Sequence, residues 1–420
     1  MAKKDKEVVQ VPVEEEVDSL KLSKLLIKEM NKDAAKTGKL AWCLATDVDN
    51  PTEVKEWIST GSTLLNFCIS NKPDGGIPVG KLTEISGEEA SGKTLLVSHL
   101  AADVQRRGGI VVYIDTENAI NAAFMQQLGV NINELVYCQP GTIEEVGETI
   151  EKVILMSRAR AKNKLVLVIW DSVAGTPSAA EIEGNYDPND RIGVTAKALA
   201  KMMRKLTQVW GKDRIAMVFT NQLKVKIGVM YGDPMSTPGG KAIPYHASVR
   251  VRLTRSTEVK DVKTNNVCAI NTRAKVVKNR LGPPLRKCDF QISFARGIED
   301  VKSWFDYLHE AGEIEKAAGW CYLTSFPSFE LDVDGKDRGY RFRESQWENE
   351  VRDSPPLFEE KDGKKIVKRV SFEDHVRKLL EKNLVIKYGE TPKDQEIDPE
   401  SLMDNECVIE QVLESKSDGG

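Results

Sequence analysis

The stretch Gly87-Glu88-Glu89-Ala90-Ser91-Gly92-Lys93-Thr94 constrains this chain more than any other feature, because it follows G-x-x-x-x-G-K-[ST] between an apolar run and a helical pattern. Lys81–Ser86 reads as a strand, and Thr94–Arg107 as the helix leaving the loop. Glycines let consecutive backbone N–H groups turn toward phosphate oxygens, and the helix N-terminus adds a favourable dipole. Lys93 is placed to meet the outer phosphates and Thr94 to ligate magnesium, with Leu95 next on the helix's first turn. Strand, loop and helix in that order set a ligand class, a nucleoside triphosphate with Mg2+, and the first unit of an α/β architecture; the residues downstream make the expected nucleotide ATP.

Further apolar runs at Ile110–Asp115, Leu165–Asp171 and Ile215–Asn221 alternate with segments long enough for crossover helices. That is the signature of a parallel sheet with helices on both faces. Three closely spaced strands follow, Ala247–Arg255, Thr272–Asn279 and Lys287–Phe294, whose short connections predict antiparallel additions. With 420 residues the chain exceeds one ordinary core. Patterning divides it into an appendage at 1–50 with an amphipathic helix over Ser19–Asn31, an ATPase core at 51–299, a small α/β domain at 300–388 and a tail at 389–420. The small domain carries helices at Val301–Ala311 and after Ser371, while the acidic, aromatic-free tail is expected to be disordered.

Two carboxylates suit the chemistry of the loop. Asp171, at the C-terminal end of the run Leu165–Trp170, can hold the magnesium shell through water. The second strand ends in Asp115-Thr116-Glu117, where an acid could orient and deprotonate water attacking the γ-phosphate. The residues alone leave open whether that acid is a base or a capping group.

Charge narrows the partners. Arg214–Cys288 holds fifteen Lys and Arg against three acids, whereas 389–420 holds ten acids against two lysines. The first region suits a polyanion, and the tail should compete for the same basic surface. No run approaches the roughly 18 apolar residues of a membrane span, and Met1–Glu16 lacks a hydrophobic signal core, so a cytoplasmic protein without membrane partners is expected. Seven scattered cysteines without a C-x-x-C pair, and four histidines, indicate neither a disulfide framework nor a zinc site.

Longer strings specify more: Ile58-Ser-Thr-Gly-Ser62, Glu181-Ile-Glu-Gly184, Asn221-Gln222 followed by Lys226-Ile-Gly-Val-Met230, Gly239-Gly240, Ala247-Ser-Val-Arg250 and Lys275-Val-Val-Lys-Asn279. With the phosphate loop they resemble the bacterial RecA recombinases and their phage relatives, from about Ile58 to Trp320. By position, the resemblance implies Glu117 as catalytic glutamate, Asp171 in the magnesium shell and Gln222 as γ-phosphate sensor. It further implies Lys278 and Arg280 as a pair reaching the next protomer's ATP, with Asn121 and Phe124 on the adenine side.

Two DNA-binding loops are implied as well. The first, Glu181–Gly193, is acidic here (Asp187, Asp190) and would contribute Ile192 and Gly193 more than charge. The second, Leu223–Lys241, would offer Lys224, Lys226, Ile227, Gly239 and Gly240, and Lys197 and Arg204 match further phosphate contacts. The N-terminal helix and a strand at Leu40–Val48 would dock on a neighbouring core. In sum the resemblance implies an ATP-dependent homologous recombinase that forms a helical filament on single-stranded DNA and exchanges strands with homologous double-stranded DNA. A single-strand-binding protein and a loader are candidate partners. The rivals are a ring-forming helicase and a recombination mediator or scaffold without strand exchange. Two departures stand out: Glu88 replaces a common proline, and Pro244 is expected to interrupt a segment where the family continues a short helix.

Overall fold

A computed structural model describes residues 19–33, 39–47, 52–118, 120–161, 163–184, 193–210, 214–225, 235–261, 263–326, 339–353, 357–361, 364–369 and 371–386, without side chains for 208–210, 357–361 and 364–369. Its largest sheet has nine strands: β1 Leu82–Gly87, β2 Ile110–Asp115, β3 Leu135–Cys138, β4 Val166–Asp171, β5 Ile215–Gln222, β6 Val249–Lys260, β7 Val267–Asn279, β8 Lys287–Ser293 and β9 Gly297–Ile298. They lie in the order β9-β8-β7-β6-β1-β5-β4-β2-β3. From β6 through β3 every neighbour is parallel, and β7, β8 and β9 add antiparallel ladders.

The sheet is mostly parallel with helices on both faces, as expected, with one correction. The strand expected to begin the antiparallel additions, β6, pairs in parallel with β1 and antiparallel only with β7. Residues 223–248 separate it from β5, enough chain for the crossover that parallel pairing requires. Strand β4 is buried along its whole length because helices cover both its sides. Helix α3 (Lys93–Arg106) lies against β2 and β4. Helices α4 (Ile143–Arg160) and α5 (Val194–Trp210) close a single core over Val112, Ile114, Val168, Trp170, Met217 and Phe219. (Helices α1 and α2 are Ser19–Met30 and Thr63–Ser70.)

Pro244 does not prevent a helix at Ala242–His246. It falls in the first turn, where its missing N–H has no intrahelical acceptor to lose. Residues 39–47 carry a turn at Cys43–Asp47 instead of the expected strand, held by Asp47 Oδ2, which accepts from Cys43 N at 2.9 Å. A strand needs a ladder partner, and no such ladder forms within this protomer's described residues.

At the other end, α6 (Asp300–Glu310), a three-stranded antiparallel sheet and α7 (Phe372–Leu384) gather around Phe305, Phe326, Phe342, Trp347 and Phe372. Ser371 caps α7 as its sequence foretells, its Oγ accepting from Asp374 N at 3.0 Å. The chain divides after Leu384, and of the second unit only 385–386 are described. The acidic tail lies outside the described residues. Among the described residues, no helix is long and apolar enough to cross a membrane.

Candidate nucleotide site

Four parallel strands end on one edge of the sheet, and their register aligns the ends: Gly87 lies opposite Gln222, and Asp115 opposite Asp171. Open α/β sheets bind ligands at this carboxyl edge. The loop leaving β1 turns through left-handed backbone at Ala90 (φ 54°) and Gly92 (φ 95°). Gly87 has no room for a side chain, since a Cβ there would lie 2.3 Å from Ser91 Oγ and 2.8 Å from Leu253 O. Ser91 braces the turn by donating to Glu88 O at 2.8 Å. The side chains of Glu88, Glu89 and Ala90 are exposed, and that of Leu95 is buried, leaving Leu95 only its backbone for a ligand.

Lys93 folds back over the loop and donates to Gly87 O (3.1 Å) and Glu88 O (2.7 Å). Burial lowers its pKa, while Asp171, Glu117 and Glu89 oppose that shift. An ammonium parked on two carbonyls and partly desolvated is suited to exchange them for phosphate oxygens.

Asp171 is the centre of a hard-oxygen cluster. Its Oδ2 accepts from Thr94 Oγ1 (2.9 Å) and Tyr113 OH (2.6 Å), and its Oδ1 accepts from Thr220 Oγ1. Burial and the neighbouring Asp171 raise the Tyr113 hydroxyl well above its ordinary pKa, so it stays a donor. Among the described residues no three acids, histidines or cysteines converge as a self-sufficient metal site. The hydroxyl and carboxylate oxygens of Thr94 and Asp171, 2.9 Å apart, fit a magnesium ion that would take its remaining ligands from phosphates and water.

The two acids after β2 separate by role. Asp115 is buried and accepts from Glu117 N (3.1 Å), Ile120 N (3.4 Å) and Tyr137 OH (3.0 Å), so its oxygens fold the loop. Glu117 Oε1 accepts from Ser172 Oγ and, at 3.4 Å, from Gln222 Nε2. Gly175 makes room for it, because a Cβ there would sit 2.9 Å from Glu117 Cγ. The side chains of Glu117, Gln222, Lys93 and Thr94 thus meet at one edge of the sheet.

Other expected site residues have local duties. Asn121 caps the helix Ala122–Gln127 by accepting from Phe124 N at 3.1 Å, and Phe124 is half-buried. Gly239 (φ 88°) and Gly240 (φ 72°) press against α5, where added Cβ atoms would lie 2.5 Å from Leu199 Cδ1 and 3.0 Å from Ala196 Cβ. Gly193 (φ 80°) precedes α5, whose Lys197 and Arg204 are exposed. Lys224 is exposed in a short ladder with Ser236. Ile192, Lys226 and Ile227 lie outside the described residues.

Lys278 and Arg280 stand away from their own loop. Lys278 pairs with Arg250, which is level with Glu84, three residues before Gly87. At about 3.3 Å per residue the offset is roughly 10 Å along the strands. Lys278 Nζ donates to Pro244 O (2.7 Å) and Tyr245 O (3.1 Å), and Arg280 Nη2 to Tyr245 O (3.0 Å). Burial, Arg280 and Arg250 push Lys278 down to a pKa of about 8, against an opposing pull from Glu84.

Sequence reading missed Tyr113, Ser172, Gly175 and Thr220. Two-residue periodicity offered a signal for some of them: Thr220 shares a strand face with Gln222, and Tyr113 with Asp115. It also missed a buried pair, Glu84 with Arg250, although an acid inside the apolar strand β1 is itself unusual.

A family model described as the RecA N-terminal domain matches residues 24–299. Protein RecA of Paracoccus denitrificans is 38% identical over 272 residues, covering 65% of this chain and 73% of that protein. Protein RecA of Thermus thermophilus is 38% identical over 270 residues (64% and 76%). Protein RecA of Thermus aquaticus is 37% identical over 303 residues (72% and 82%).

Proposed function

We propose that this chain, which belongs to the RecA family, is an ATP-dependent homologous recombinase that forms a filament on single-stranded DNA and pairs it with homologous duplex. The observation that carries the reading is the contact of Gln222 with Glu117 at 3.4 Å, because Gln222 also opens the segment 223–241. A residue that touches the hydrolytic carboxylate at one end of a loop is placed to link nucleotide state to what that loop holds.

In this reading Thr94 and Asp171 would hold a magnesium ion, which when bound would supply charge neutralisation to the phosphates. Lys93 leaves its carbonyls for the outer phosphates, and Gly87 to Thr94 offers backbone donors. Glu117 takes the proton of the attacking water, and Gln222 turns from Glu117 toward the γ-phosphate. Lys278 and Arg280, too far down the sheet for their own loop, complete the site of the next protomer, as an arginine finger does in trans. Gly193, Lys197, Arg204, Lys224, Gly239 and Gly240 belong to the DNA-facing side, with Ile192, Lys226 and Ile227.

The depressed Lys278 gives assembly a pH dependence. Docking on a triphosphate requires the ammonium, which is already present below about pH 8 and must be regained above it. Filament assembly with ATP should therefore weaken up to about tenfold per pH unit as pH rises through about 8, until the higher pKa of the docked lysine is reached. Lys278→Arg should flatten the profile, since guanidinium stays charged. Fluorescence anisotropy of labelled single strands from about pH 7 to about pH 9 checks both. Identical profiles for the two proteins contradict the assignment.

The N-terminal helix supports head-to-tail assembly: Leu22, Leu25, Leu26 and Met30 of α1 are 46–60% exposed, an apolar stripe left uncovered by the described residues of the protomer. Removing residues 1–48 should abolish filaments while the core stays folded by circular dichroism; filaments that persist in electron micrographs contradict this docking role.

Incubation with ATP, circular single strands and linear duplex tests the function itself. Joint molecules that need homology support the recombinase. Displacement without homology would mark a helicase, and neither product would mark a scaffold.

A further inference from the structure

The buried pair Glu84–Arg250 is assigned no contact with the reacting groups above, and its geometry points to Glu84 as a positioning residue that couples a protomer's own γ-phosphate contact to its grip on the next protomer's nucleotide. The inference rests on the filament reading. Glu84 lies on the phosphate-loop strand and is fully buried. Burying a carboxylate there is costly unless both oxygens are matched. Each oxygen is matched by a different flanking strand: Oε1 accepts from Asn221 Nδ2 of β5 at 3.1 Å, and Oε2 accepts from Arg250 Nε of β6.

Both partners adjoin a residue of the shared site. Asn221 immediately precedes Gln222 in β5, and its Nδ2 also donates to Pro238 O at 3.3 Å, at the far base of the segment 223–241. Arg250 lies directly across from Lys278 in the β6–β7 ladder. The carboxylate therefore joins the neighbour of the sensor on one side to the neighbour of the trans lysine on the other. Among the described residues the buried Asn221 Oδ1 has no hydrogen-bond partner, so within them the carboxamide has an acceptor with which to re-pair if Gln222 shifts. Apolar residues of similar volume often replace a buried ion pair without loss of stability, so charge in such a place suits a registry or switch role.

The test uses the full chain with ATP and single-stranded DNA. Asn221→Ala cuts the sensor side of the link without stranding a charge. It should lower DNA-stimulated turnover by roughly tenfold, a coupling within the range of contacting residues, while nucleotide affinity without DNA changes less than about twofold. In a Gln222→Ala background the same change should have almost no further effect, because the link then has nothing to position. Glu84→Gln combined with Arg250→Met removes both charges together and should reproduce the loss, which decides the matter if Asn221→Ala proves unstable in a melting experiment. Undiminished DNA stimulation in the folded variants, or effects that multiply fully with Gln222→Ala, overturns the coupling. Absence of DNA stimulation in the unsubstituted protein overturns the filament reading beneath it, a failure seen before any variant is made.

Discussion

Glu117→Gln is expected to lower DNA-stimulated ATP hydrolysis by about 10²–10⁴-fold, the range of a lost general base, while ATP binding and filament formation survive. The amide has the shape of the carboxylate and keeps an oxygen for Ser172 Oγ and for Gln222 Nε2, which both donate to Glu117 Oε1. What it loses is the ability to take a proton from water. Asp115 cannot substitute, because its oxygens already accept from the Glu117 and Ile120 amides and the Tyr137 hydroxyl. Single-turnover hydrolysis beside nucleotide binding separates the steps, and filaments on DNA should become longer-lived. Hydrolysis within a few-fold of the unsubstituted rate would move the base to another group.

A second large effect is expected from Lys278→Ala with Arg280→Ala, which should reduce DNA-stimulated hydrolysis by roughly 10³-fold or more, as loss of a trans cation does in other phosphoryl-transfer sites. The protomer should remain folded. Among the described residues the two side chains donate to the Pro244 and Tyr245 carbonyls at the end of a short helix, and water can take their place. Thermal melting close to that of the parent, together with lost turnover, is the expected pair of results; a large fall in melting temperature would make their role one of folding.

The nucleotide side of this site was legible because its chemistry is local. Gly87 to Thr94 is contiguous, and the strands that bring Asp171 and Gln222 to the same edge are buried on both faces, so they read as unbroken apolar runs. Less was legible where neighbours decide. The edge strand β3 is an apolar run of only four residues, with Val136 and Tyr137 exposed, and β6 shows its direction only through the strand it meets. Whether the acid at this strand end is a base or a capping group was open from the residues alone; in the fold Asp115 accepts from the Glu117 and Ile120 amides and the Tyr137 hydroxyl, whereas Glu117 accepts from the side chains of Ser172 and Gln222. The glycines at 239 and 240 leave no room for a side chain because of neighbours in α5, Leu199 and Ala196. Glu84 and Arg250 are 166 residues apart, a pairing that only strand register creates.

The most direct test of a shared nucleotide site is to mix two defective proteins on single-stranded DNA. A Lys93→Ala protomer lacks a working loop but carries Lys278 and Arg280, and a Lys278→Ala, Arg280→Ala protomer is the reverse. Neither alone should turn over ATP at a useful rate. Head-to-tail mixing at equal amounts rebuilds complete sites at roughly a quarter of the interfaces, so hydrolysis should reappear only in the mixture. A mixture as inactive as its components, or full turnover by the Lys278→Ala, Arg280→Ala protein alone, would contradict the shared site.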